Sequence, residues 1–163
     1  MDLEFSVTET ITRNNNFINQ IHYQFEEFSF ENTSNGITNK KERRSRIYDT
    51  IITRKQYNIL TRNTRNALLF DNFIIVLRPF IMGYYQDDEL TRAFRVLDKD
   101  HSGSVNVEEL ANFLPIINEF ATTEALTNYI KKVDINTDGT LNYDEFRSLI
   151  LKGIGRDIIC NHL

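Results

Sequence analysis

The chain has no tryptophan, one cysteine, two prolines and two methionines among its 163 residues. A lone Cys160 closes no internal disulfide, which excludes a disulfide-stapled scaffold and makes a cytoplasmic protein the expectation. The two methionines, Met1 and Met82, cannot form the pliable Met-rich surface of promiscuous helix binders, so few and selective partners are expected. No apolar run reaches the roughly 18 residues of a membrane span, and Met1 to Phe5 lacks the basic start and apolar core of a signal peptide. Asp2 stands where a myristoylated chain needs glycine. Cys160 is fourth from the end, as in a prenylated chain, but Asn161 and His162 replace the two aliphatic residues of that signal. None of the histidines, His22, His101 and His162, sits in a nucleophile context with a Cys or Ser, so the chain is read as a non-enzyme with no catalytic residue.

With 40% hydrophobic and 26% charged residues the chain should fold, as one domain or two small lobes. Its net charge of −4 is unevenly placed: residues 1–85 carry 11 basic and 9 acidic side chains, residues 86–163 carry 8 and 14. The basic run 40–65 (Lys40, Lys41, Arg43, Arg44, Arg46, Arg54, Lys55, Arg62, Arg65) has no aromatic platform or DNA-reading motif beside it, so nucleic acid is not expected. A solvated helix face explains this run, with contact to anionic lipid as the alternative.

The acidic half holds one oxygen-rich pattern twice. Asp98, Asp100, Ser102, Ser104, Asn106 and Glu109 take positions 1, 3, 5, 7, 9 and 12 of one twelve-residue stretch, and Asp134, Asn136, Asp138, Thr140, Asn142 and Glu145 take them in a second, starting 36 residues later. A hard dication such as Ca²⁺ needs six to eight oxygens, and a short loop supplies them from side chains at 1, 3, 5 and 9, a carbonyl at 7 and a bidentate carboxylate at 12. Gly103 and Gly139 fall at position 6, where the sharp turn requires a positive φ. Val105 and Leu141 follow at position 8, the inward-facing site through which two such loops pair. A helix cap alone asks for no glutamate at position 12.

With this pattern, and with Asp88 to Asp100 leading into it, the half resembles a calmodulin-like pair of EF-hands. The resemblance implies an all-α fold of EF-hand pairs in two lobes, with a short β bridge between paired loops. It also implies two bound Ca²⁺ ions and a target protein or amphipathic helix as partner.

Along the rest of the chain, residues 1–16 are expected to be loose. Phe17, Ile18, Ile21, Phe25 and Phe28 give a helical stripe over 17–30, and Ile47, Ile51, Ile52 and Leu60 a second over 47–60. Residues 31–42, with Gly36 and Glu42 at positions 6 and 12, resemble a worn EF-hand loop or else an Asn-Gly turn between helices. Residues 61–72 resemble a loop without ligands, followed by an exiting helix through Leu77. Residues 17–78 are therefore read as a degenerate, metal-free EF-hand-like lobe. Pro79 and Gly83 mark a connector, 79–86, with Phe80, Ile81, Tyr84 and Tyr85 packing on a lobe. The calcium-binding pair spans 87–152, with Leu90, Phe94, Leu97, Leu110, Phe113, Leu114, Leu126, Tyr129, Ile130, Val133, Phe146, Leu149 and Ile150 as its apolar faces and Thr122 or Thr123 as a cap. The apolar tail 153–163 is expected to fold back on that lobe or into its groove.

The function expected from the residues and the resemblance is calcium-dependent regulation of a target protein. The alternatives are a calcium buffer, or a light-chain-like subunit held on a helix by the metal-free lobe.

Overall fold

The computed structural model describes all residues except 1, 15–16, 31–43, 66, 84, 87, 114–121 and 161–163. The chain divides into two units, Met1–Gln56 and Tyr57–Leu163.

In the first unit β1 (Asp2–Asn14), β2 (Phe17–Phe30) and β3 (Arg44–Thr53) form an antiparallel sheet in the order β1-β2-β3. The register sets Ile11 opposite Ile21 and Ile21 opposite Ile52, with a bulge at Thr12/Arg13. Ile21 and Tyr23 are fully buried, while His22 between them is half-exposed and hydrogen-bonds Asp49 on the polar face at 2.5 Å. This is the period-two burial of a strand with one covered face. The helical reading of 17–30 and 47–53 is corrected here, as is the loose segment at 1–16. The apolar residues of 17–30 fit a 3–4 spacing, but Ile21, Tyr23 and Phe25 also alternate, and β-branched and aromatic side chains suit a pleated surface. Pairing with β1 and β3, which the stripe itself does not show, decides between the two. The metal-free helical lobe at 17–78 is therefore replaced by this sheet and by the helices that follow it in the chain. Its candidate loop at 31–42 lies outside the described residues.

Helix α1 (Arg54–Leu60) follows β3 directly, and the Thr53 hydroxyl accepts the Gln56 N–H at 3.1 Å as its cap. Within the second unit, the buried Tyr57 hydroxyl donates to the Leu68 carbonyl at 2.6 Å, and its ring meets Phe70 and Phe73 at 5.4 and 4.5 Å. Burial pushes the Tyr57 phenol up to about 12. Because the folded value lies above the ordinary 10.0, this group favours the fold fully below pH 10 and that contribution is lost as pH rises toward 12. An alkaline spectrophotometric titration should find one of the seven tyrosines ionising last, near pH 12, and Tyr57→Phe should remove that step.

Helix α2 (Phe70–Met82) contains Pro79. The connector was expected to begin at Pro79, but the helix runs on for three residues and stops at Gly83, whose φ of 69° is left-handed and whose N–H reaches the Pro79 carbonyl at 3.0 Å. An interior proline costs about 3 kcal/mol. Burying Phe80 and Ile81, 0% and 4% exposed, returns about 1.5–3 kcal/mol each, which is enough to carry the helix through. The packing of the connector's side chains is as expected for Phe80 and Ile81. Tyr85 is half-buried and accepts a hydrogen bond from Arg147 at 2.5 Å, and Tyr84 is outside the described residues.

Next come α3 (Glu89–Leu97), β4 (Ser104–Val105), α4 (Val107–Phe113), α5 (Thr123–Lys131), β5 (Leu141–Asn142), α6 (Tyr143–Leu151) and α7 (Ile154–Cys160). Thr122 caps α5, accepting the Ala125 N–H at 3.2 Å. Leu90, Phe94, Leu97, Leu110, Phe113, Leu126, Tyr129, Ile130, Val133, Phe146, Leu149 and Ile150 are all buried, so the apolar stripes read from periodicity converge on one core. Leu114 is outside the described residues. Arg78 pairs with Glu89 at 2.6 Å and ties α2 to α3. The tail folds back over its described residues, with Ile154 and Ile158 of α7 buried and α7 packed on α2, α5 and α6, while 161–163 lie outside the described residues.

Candidate metal centre

Each loop lies between two helices, α3 and α4 for 98–109, α5 and α6 for 134–145, and the two are joined back to back. Ser104 pairs with Asn142 and Val105 with Leu141 in a two-stranded antiparallel bridge, with Val105 and Leu141 fully buried. This is the short β bridge that position 8 implied.

In the first loop, carboxylate oxygens of Asp98, Asp100 and Glu109 lie within 4.8 Å of one another. Backbone N–H groups aim at them: Ser102 N reaches Asp98 Oδ1 at 2.9 Å and Asp100 Oδ1 at 3.0 Å, and Gly103 N reaches Asp98 Oδ2 at 3.0 Å. The Ser102 hydroxyl donates to the Ser104 carbonyl at 3.0 Å, which brings positions 5 and 7 together. In the second loop Gly139 N donates to Asp134 Oδ2 at 2.9 Å, Asn136 Nδ2 to Asp138 Oδ2 at 2.9 Å, and Thr140 N to Asp138 Oδ1 at 2.8 Å. The hydroxyl of Ser102, then its backbone N–H, holds the Asp100 carboxyl below the usual carboxylate range, and Thr140, through its backbone and then its hydroxyl, does the same for Asp138. Both loops are therefore anionic at neutral pH.

The residues at positions 9 and 12 do double duty. Glu109 N donates to Asn106 Oδ1 at 2.8 Å while Asn106 N donates to Glu109 Oε2 at 3.1 Å, and Asn142 with Glu145 repeats the exchange at 3.0 Å in both directions. These are reciprocal caps of α4 and α6. The other oxygen of each glutamate reaches across its loop, Glu109 Oε1 to Lys99 N and Glu145 Oε1 to Ile135 N, both at 2.9 Å. Each carboxylate is thus pinned by two N–H groups, with further lone pairs left for a cation.

Three of the four buried charged side chains among the described residues are Asp98, Glu109 and Glu145, and burying a carboxylate is costly unless something compensates it. Among the described residues Asp134 Oδ1 is buried without a hydrogen-bond partner. An orphaned anionic oxygen at position 1, beside the donor set described above, fits a hard cation with oxygen ligands. All twelve residues read from the sequence lie on these two loops. The three carboxylates of the first loop form a tight group, while in the second Asn136 and Asp138 bond to each other.

Sequence reasoning passed over position 4. His101 and Thr137 have φ of 56° and 58°, left-handed values that are uncommon for any residue but glycine and, for a β-branched one, a genuine outlier. The available signal was the sharp turn at position 6, which recruits its neighbours. Asn tolerates this conformation through local hydrogen bonding, and Gly adds unfolded-state entropy. Thr137→Asn should therefore stabilise the fold by about 1 kcal/mol, read as a higher urea midpoint with unchanged slope.

Two helix–loop–helix units coupled through their loops, each loop lined with oxygen donors and the first gathering three carboxylates, have the arrangement of a paired dication-binding module. Residues 87–151 match the family model for an EF-hand domain pair. The chain is 38% identical over 84 residues to "Probable calcium-binding protein CML7" of Oryza sativa subsp. japonica, covering 51% of this chain and 57% of the relative. It is 33% identical over 82 residues to "Cell division control protein 31" of Saccharomyces cerevisiae, covering 50% and 51%, and 29% identical over 85 residues to "Troponin C, isoform 2" of Caenorhabditis elegans, covering 50% and 53%. The chain spans about half the length of the curated relatives it matches. No helix among the described residues is long and apolar enough to cross a membrane.

Proposed function

We propose that this chain is a calcium sensor, holding one Ca²⁺ in each of the loops 98–109 and 134–145 and answering by binding a target protein in the cytoplasm. The orphaned, buried Asp134 Oδ1 carries the reading, because a carboxylate oxygen left without a protein donor in a formed loop suits a hard cation. Relatives named as calcium-binding proteins support it.

Asp98, Asp100 and Glu109 would hold one ion with Ser102, Asn106 and the Ser104 carbonyl, and Asp134, Asp138 and Glu145 the other with Asn136, Asn142 and the Thr140 carbonyl. A bound dication supplies the charge that lets these carboxylates stand together. Val105 and Leu141 join the loops, so ordering one favours the other. Glu109 and Glu145 each link a loop's second residue to the first turn of its exiting helix, so a change at the carboxylate is felt by α4 and α6. In sensor hands such a change reorients helices and exposes apolar surface, whereas buffer hands barely open.

Calorimetric titration of the full chain should give two calcium sites, and a dye that reports apolar surface should brighten with calcium. Saturable uptake with an unchanged dye signal would favour the buffer alternative. The light-chain-like alternative assumed a helical amino-terminal lobe, where the described residues of 2–53 form strands.

A further inference from the structure

Two exiting helices, α4 and α6, meet at one aromatic side chain that belongs to neither. The ring of Phe80 in α2 lies 5.1 Å from Phe113 of α4 and 5.9 Å from Phe146 of α6, centroid to centroid. One heptad earlier on the same helix, Phe73 meets Phe113 at 5.5 Å. Phe73 and Phe80 are both fully buried, so α2 is seated between the two hands on a pair of aromatic anchors seven residues apart, as an amphipathic helix sits in a groove.

The tail closes this arrangement. A Cβ on Gly155 would stand 3.0 Å from the Phe80 ring and 3.3 Å from Ile150, so the backbone of α7 lies directly against the anchor. The buried Arg156 Nε donates to the Ile81 carbonyl at 2.9 Å and its Nη2 to the Met82 carbonyl at 2.7 Å. Those are last-turn carbonyls, which a helix leaves without partners of its own. Gly83 makes room for the guanidinium, since a Cβ there would fall 2.7 Å from Nη2.

We infer that α2 is an internal occupant of the cleft between the two hands, held there by the Arg156 clasp, and that an outside amphipathic helix enters only in exchange for it, with two aromatic anchors seven residues apart, when the clasp opens. The inference rests on the sensor reading above. A tethered occupant competes at an effective concentration on the order of millimolar, and the apparent affinity for an outside helix is reduced by the fraction of molecules whose cleft is open. Whatever weakens the clasp raises that fraction and tightens the outside partner in proportion.

The probe is a fluorophore-labelled synthetic peptide with the sequence of residues 68–83, titrated into the full chain with calcium and with chelator and followed by anisotropy. Arg156→Met removes the guanidinium and keeps an apolar stem, and Gly83→Ala puts a methyl group where the guanidinium lies. Each variant should bind the peptide roughly tenfold more tightly than the parent in the same buffer, with faster amide exchange along α2. A peptide carrying Phe73→Ala and Phe80→Ala should not bind, and equal binding by that peptide would overturn the two-anchor specification. Parent-like peptide affinity and α2 exchange in folded variants that take up two Ca²⁺ would overturn the clasp and leave the sensor reading standing. If Arg156→Met fails to fold, Gly83→Ala decides by the same two readings. A parent that takes up no calcium sinks the sensor reading, while the variants still judge the clasp in chelator.

Discussion

Glu145→Gln should weaken calcium binding at the second loop by at least about a hundredfold, since changing a partner that only orients a ligand already costs 10–100-fold and Glu145 is itself the ligand proposed at position 12. The substitution keeps the size of the side chain and one acceptor oxygen, but removes a charge and one of the two acceptors that now take the Ile135 and Asn142 N–H groups. Glutamine still serves in a capping box, so α6 should stay helical by circular dichroism while the titration falls from two sites to one. Glu109→Gln should do the same to the first loop. Because Val105 and Leu141 pair the loops, the surviving site should also bind more weakly in each variant. A Glu145→Gln chain that takes up two ions with parental affinity would contradict the assignment of position 12.

Phe80→Ala should destabilise the second unit by about 3–5 kcal/mol, the range for removing a buried aromatic side chain. Its ring contacts Phe113 and Phe146 on one side and the α7 backbone at Gly155 on the other, so the cavity would be walled by three elements that cannot all collapse into it. The urea midpoint followed by the helical signal is the measurement. A loss below 1 kcal/mol would mean that α2 is not part of this core. Phe80→Leu, which refills part of the volume, should recover more than half of the loss.

Much of the carboxy-terminal half was legible in the residues because its determinants are local. The ligand positions, the two glycines and the inward Val105 and Leu141 all lie within twelve consecutive residues, and a loop of that size folds around its own donors. The helix stripes there are also local, and each fell on a buried face. The amino-terminal half misled for the opposite reason. Phe17 to Phe30 satisfies a helical and an alternating reading together, and only its pairing with β1 and β3 selects the strand. The extent of α2 was misjudged at Pro79, because the local cost of proline was visible and the compensating burial of Phe80 and Ile81 was not.

By itself, then, the order of residues determined the two oxygen-lined loops, their bridge at position 8 and the amphipathic faces beside them, since each depends on contacts between near neighbours in the chain. The tertiary structure alone decided that the described residues of 2–53 pair as a sheet, that α2 lies on Phe113 and Phe146, and that Arg156 closes over the end of α2, 74 residues away from Met82 in sequence. Contacts of that kind join side chains with no periodic relation to one another. Their free energy comes from surfaces that meet only after the chain has folded.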